Sequence, residues 1–244
     1  MRYESALKVV RSLKEAMGQP LSIRAICRRI ALSYQPTHKH VRALEAEGVL
    51  RTEKRGREVL CELAYTPATT LWLGLVSVAE RRELSAQGGA IGEFAERMVS
   101  ESRAADAGVL AVVVRRGRDS ADGVASLVLV TRDGGREAAR AVRAAAPNEL
   151  KATVYEASAF AQLMSRPFER NPLLAESVVL SGEQAYWRLA FAQEPVSAEG
   201  PPAEPYRRPP RRARKPKRPR RERPAEQPAP ARPRATDDDV LFVD

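Results

Sequence analysis

Between Gly18 and Leu63 the chain reads GQPLSIRAICRRIALSYQPTHKHVRALEAEGVLRTEKRGREVLCEL, a spacing that few folds accommodate. Ser22 is a good helix N-cap, and Ile23, Ile26, Cys27 and Ile30 follow at the three- and four-residue intervals of one buried helical stripe. Arg24, Arg28 and Arg29 are left on the outer face. Leu32 and Ser33 break the pattern, Pro36 sits where a first-turn proline is tolerated, and Val41 and Leu44 give the next apolar stripe before Gly48 ends it. Val49 to Glu53 and Glu58 to Leu63 then alternate like two strands, joined by Lys54, Arg55, Gly56 and Arg57. Two short helices followed by a basic hairpin are the result.

That order is the grammar of a winged helix-turn-helix, and it points at double-stranded DNA. The second helix carries Gln35, Thr37, His38, Lys39 and Arg42 on its open face and first turn, a mixture of donors and acceptors suited to base edges and phosphates. A merely solvated face would more often carry paired Glu and Lys. Lys54, Arg55 and Arg57 at the hairpin tip suit a phosphate backbone. The run SYQPTHKHVRALEAEGVL resembles the recognition helix and following strand of ArsR- and MarR-type winged-helix regulators, a family in which a homodimer on a symmetric site is usual. Leu7, Val10 and Leu13 of the first helix would serve either such a dimer or the intramolecular core. Cys27 and Cys61 stand apart from any metal-ligand set, and both read as buried structural thiols.

From about residue 68 to 192, helical and strand-like segments alternate. Thr69–Leu84, Ala90–Ser102, Arg136–Ala144, Phe160–Met164 and Gln184–Phe191 have helical character. Val109–Val114, Ser126–Thr131, Leu150–Tyr155 and Val178–Leu180 read as strands. The fold class expected is therefore α+β: an N-terminal winged helix over 1–66, a central α/β domain with a small mixed sheet over 67–194, and a tail.

NPLLAESVVLSGEQAYWRLAF, from Asn171 to Phe191, and VYEASAFAQLM upstream are similar to the closing segments of minimal nucleotidyltransferase domains. The resemblance implies a two-metal active site built on a Gly-Ser pair, two Asp on one strand and a third carboxylate on a later strand. This chain departs at each place. Arg115 and Arg116 stand where Gly-Ser belongs, Val124 and Ser126 where the paired Asp belong, and Lys151, Ala152 and Thr153 where the third carboxylate belongs. Asp119 and Asp122 precede the strand and are three apart, so they are poor candidates for a shared metal. The expectation is a transferase-like fold without catalysis, metal or cofactor, in which Arg115, Arg116 and Arg118 would at most hold phosphates. The alternatives are an enzyme with relocated carboxylates, or a scaffold that binds RNA or protein.

Charge is concentrated late in the chain. Of the formal +10, residues 207 to 234 hold thirteen Lys or Arg against Glu222 and Glu226, a net of +11. Punctuated by proline and almost free of large apolar side chains, residues 195–236 are expected to form a disordered basic arm. Arg211, Arg212, Arg214, Lys215, Lys217, Arg218, Arg220 and Arg221 would track phosphates without reading bases. The tip, residues 237–244, places Asp237, Asp238 and Asp239 before Val240, Leu241 and Phe242, a type of peptide that docks a protein partner or competes with DNA for the arm. No apolar run approaches a membrane span and no signal peptide is evident, so the expectation is a cytoplasmic, nucleoid-associated protein.

Overall fold

The computed structural model describes residues 2–101, 108–116 and 124–192. The basic arm, the acidic tip, Arg118, Asp119 and Asp122 lie outside the described residues.

The chain opens with α1 (Arg2–Glu15), β1 (Leu21–Ser22), α2 (Ile23–Ile30), α3 (Tyr34–Ala46), β2 (Leu50–Arg55) and β3 (Glu58–Leu63). Ser22 caps α2 as its sequence position predicts, its Oγ accepting from the Ala25 N–H at 3.3 Å. Ala31 ends that helix in the left-handed region with φ of 53°, one residue before the break expected at Leu32. The next helix begins at Tyr34, earlier than Pro36 suggested, and Gly48 follows its C-cap Glu47 with φ of 71°. The strands form an antiparallel sheet in the order β1, β3, β2, with Leu21 opposite Cys61 and Arg55 opposite Glu58. That leaves a two-residue loop, Gly56–Arg57, narrower than the four-residue turn read from sequence. Gly56, at φ of 62°, occupies the first loop position, where tight hairpins require a positive φ.

Beyond this module come α4 (Pro67–Ala86), α5 (Gly89–Glu101), β4 (Val109–Arg116), β5 (Val124–Thr131), α6 (Arg136–Ala145) and β6 (Lys151–Glu156). They are followed by α7 (Ala157–Met164), α8 (Pro167–Glu176), β7 (Ser177–Ser181) and α9 (Glu183–Ala190). The second sheet runs β6, β5, β4, β7, with β5 and β6 parallel and the other pairs antiparallel. It is therefore a small mixed sheet, as expected. On one face, Val112, Val114, Leu127 and Leu129 pack with Phe94 and Met98 of α5 and Ala139 of α6. On the other, Val113, Val128 and Val130 join Leu73 and Val76 of α4, Phe160 of α7, Leu174 of α8 and Trp187 of α9.

This second core does not stop at residue 66. Val9, Val10 and Leu13 of α1 and Ile26, Val41 and Leu44 of the helix-turn-helix belong to the same apolar cluster, so α1 spends its buried face intramolecularly. Thr66 and Thr69, at the start of α4, donate to the carbonyls of Gly48 and Val49 at 2.8 and 2.9 Å. Lys14 of α1 donates to Glu80 of α4 at 2.5 Å and to the Ser177 carbonyl of β7 at 2.6 Å, with both charged side chains 1% exposed. All described residues fall in one compact unit, Met1–Ala198.

Candidate nucleic-acid interface

Helix α3 has two faces at the same three-and-four spacing. Thr37, Val41 and Leu44 are buried, while Gln35, Lys39 and Arg42 form the exposed stripe. Thr37 was expected among the DNA-contacting residues, and that expectation is corrected: it is 0% exposed and its hydroxyl donates to the Ser33 carbonyl at 2.9 Å. Its interval to Val41 and Leu44 is the sequence signal for burial, which the polarity of the hydroxyl obscures. Ser33 makes no side-chain cap bond, so the first-turn amides of α3 present the positive end of the helix without a side-chain partner.

His38 is half-buried and stacks on Tyr34, their rings 5.8 Å apart and 22° from parallel. Tyr34 is 45% exposed at the head of the helix, an amphipathic ring absent from the set of contacts expected from sequence. Arg42 is exposed but tethered: Nη1 lies 2.6 Å from Glu45 Oε2, and the other Glu45 oxygen takes the Thr52 hydroxyl of β2. These hydrogen bonds, Thr52 first and Arg42 second, hold the Glu45 carboxyl below its ordinary pKa. Helix α3 and strand β2 are thus bolted together by Glu45, which also holds Arg42. Lys39 has no ion-pair partner among the described residues.

In the wing, Lys54 and Arg57 are exposed and have no ion-pair partner among the described residues. Arg55 differs, since its Nε and Nη2 clamp both oxygens of Glu53 at 3.0 and 2.9 Å. Side chains two apart on a strand share a face, which brings this pair together and screens the Arg55 charge. A cleft of about 340 Å³ opens between the wing and the helices, lined by Ser22 and Arg24 of the α2 start, Tyr34 of α3, and Arg57 and Val59 of the hairpin. Arg24 therefore faces the same cleft as the wing cation, a neighbour that the helical stripe alone does not indicate.

Residues 7–51 match the family model of winged helix-turn-helix DNA-binding domains. The N-terminal module is accordingly a winged helix-turn-helix of the DNA-binding kind, and the match ends at the first wing strand, short of the hairpin tip. No curated protein and no solved structure matches the chain. Among the described residues no helix is long and apolar enough to cross a membrane.

Two further expectations are corrected. Arg115 was expected just past the strand Val109–Val114, where it would at most hold phosphates, but it lies within strand β4 and its Nη2 is paired with Glu176 at 2.7 Å. Cys61 is fully buried as expected, whereas Cys27 is half-buried on the flank of α2. Burial pushes the Cys61 thiol up to about 12.

Proposed function

We propose that the protein is a sequence-selective binder of duplex DNA with a regulatory output. The observation that carries this reading is the exposed stripe of Gln35, Lys39 and Arg42 on a helix whose opposite stripe is buried, beside a wing bearing Lys54 and Arg57. Such a stripe can enter the major groove with Gln reading adenine and Lys or Arg reading guanine, while the wing holds phosphates. The basic arm, residues 207–234, adds affinity without selection by releasing counterions. The nucleotidyltransferase resemblance is taken as architectural: Val124, Ser126 and Lys151 replace the carboxylates that chemistry would need, and the central segment serves as a scaffold rather than a catalyst.

The test uses the full chain. A binding site enriched from random duplexes should be preferred over scrambled DNA, and Lys39→Ala with Arg42→Ala should erase roughly 1–3 kcal/mol of that preference for each base pair no longer read. Deleting residues 207–234 should instead weaken all DNA alike and flatten the salt dependence by about 0.9 for each phosphate no longer neutralised. The reverse division, or no preference in the wild type, refutes the reading. Incorporation of labelled nucleotide by the purified protein would refute the scaffold role.

A further inference from the structure

Helix α4 is apolar on two opposite sides. Leu73, Val76, Glu80 and Leu84 are buried against the core. The far side carries Ala68, Leu71, Leu75, Val78 and Arg82, at intervals that alternate between three and four residues. Leu71 and Leu75 are 57% and 54% exposed. From Pro67 to Arg81 the helix has two charges: Glu80 is buried, and Arg81 is paired with Glu183 and donates to the Leu180 carbonyl at 2.6 Å. The outward side therefore runs through about four turns without a charge, whereas a helix face left in water is ordinarily polar.

Arg82 ends that stripe, exposed and without an ion-pair partner among the described residues, while its neighbour Glu83 is tied to Arg11 at 2.7 Å. At the head of the helix Tyr3, 79% exposed, stacks on Trp72 with ring centres 6.5 Å apart. The other exposed large apolar side chains, Tyr34, Val99, Val154 and Phe168, stand on four separate elements. Alternating steps of three and four average 3.5 residues, the period of a seam that packs knobs-into-holes against a second helix of the same spacing. Among the described helices only α4 turns such a seam outward, since α1 and α3 bury theirs in the core.

We propose that the outward seam of α4 binds the same seam of a second copy of this chain, the two helices antiparallel about a two-fold axis between Leu75 and Val78. The second copy supplies the matching spacing, and charge sets the direction. A parallel pair would set Arg82 against Arg82. In the antiparallel pair Leu75 meets Val78 of the other copy, Ala68 meets Ser85, and Arg82 meets Leu71. Arg82 lays its apolar stem on that leucine, and its guanidinium reaches the Tyr3 and Trp72 rings at the head of the other helix. One particle then carries two α3 stripes and binds an inverted repeat through both. That consequence rests on the DNA-binding reading above; the pairing itself does not.

Sedimentation equilibrium of the full-length protein over a wide concentration range tests the pairing without DNA. A reversible monomer–dimer equilibrium is expected. Leu75→Glu, at an exposed position that leaves the core and the circular dichroism spectrum unchanged, should raise the dimer dissociation constant about a hundredfold or more, since it sets two carboxylates against each other at the axis. A wild type that is monomeric throughout, whatever else covers the face, or a Leu75→Glu variant as dimeric as the wild type, overturns the proposal. Cross-linking checks the direction in a Cys27→Ala background, where Cys61 is buried. At 1.5 Å per residue the two copies of position 75 lie about 5 Å apart along the antiparallel axis and those of position 71 about 16 Å. A short bifunctional maleimide should therefore join Leu75→Cys and not Leu71→Cys; joining both, or neither, overturns the antiparallel seam. In a second assay Leu75→Glu should bind an inverted repeat about tenfold or more weakly than the wild type does and a single half-site equally well. Equal affinity of both proteins for the repeat overturns the DNA consequence alone.

Discussion

Replacing Glu80 by Gln should destabilise the protein more than its near-identical shape suggests. Lys14 and Glu80 lie 66 positions apart and are both 1% exposed, joined by a 2.5 Å hydrogen bond. The ammonium also donates to the Ser177 carbonyl at 2.6 Å and sits 5.9 Å from the Trp187 ring centre. Glutamine preserves the volume, so no cavity forms, and the loss is the counter-charge alone. Arg11, 3.6 Å from Glu80, is a second cation and cannot replace it. Removing one member of a buried pair costs about 3–5 kcal/mol, which for a chain of this size lowers Tm by roughly 6–20 °C.

Burial already pushes the Lys14 pKa below its ordinary 10.5, with Glu80 opposing that shift. Without the carboxylate the folded pKa falls further, so between that value and 10.5 the unfolded chain binds the extra proton. The stability of Glu80→Gln should therefore rise with pH across that window, narrowing its gap from the wild type. Lys14→Met with Glu80→Leu, which removes both charges, should lie within about 1 kcal/mol of the wild type or above it. Urea unfolding of the full chain followed by circular dichroism gives all three values. A cost below about 1 kcal/mol for Glu80→Gln, or a double variant as unstable as the single, refutes the account.

Three further outcomes are expected. Thr37→Val should cost about 1 kcal/mol through its missing hydrogen bond and leave DNA selectivity intact, which competition binding checks against Lys39→Ala. In the native protein at pH 8 a thiol reagent should modify Cys27 and spare Cys61; because the Cys61 pKa rises from 9.0 to about 12 on folding, its contribution to stability is full below pH 9 and is lost as pH rises toward 12, a slope that Cys61→Ala removes. Gly48→Ala, where a Cβ meets open space, should cost only the roughly 1–2 kcal/mol of a left-handed alanine, whereas Gly182→Ala drives a Cβ to 1.9 Å from the Leu110 carbonyl and adds about 1–3 kcal/mol of overpacking, both read by thermal unfolding.

The legible parts of this fold share one property. Ser22 as N-cap, the α2 stripe, the stop at Gly48 and the hairpin around Gly56 all depend on residues within a few positions of one another. The continuous apolar runs of β4 and β5 are equally readable, because a strand covered on both faces needs no polar alternation. Thr37 misleads despite a periodicity that places it inward, since its hydroxyl donates to the Ser33 carbonyl four residues back and is satisfied without water. Arg42, Arg55 and Arg115 look like free cations in the sequence because spacing does not reveal which carboxylate a long side chain reaches.

By itself, the sequence determined that residues 18 to 63 form two helices and a basic hairpin, and that positive charge gathers between residues 207 and 234. The tertiary structure decided that α1, the winged helix and the mixed sheet share one core, that Lys14 meets Glu80 inside it, and that Arg170 is walled in beside Tyr65. Periodicity and capping act over one or two turns of chain and leave a local imprint. Contacts across 66 or 105 positions are set by how sheets and helices stack, and no local pattern records them.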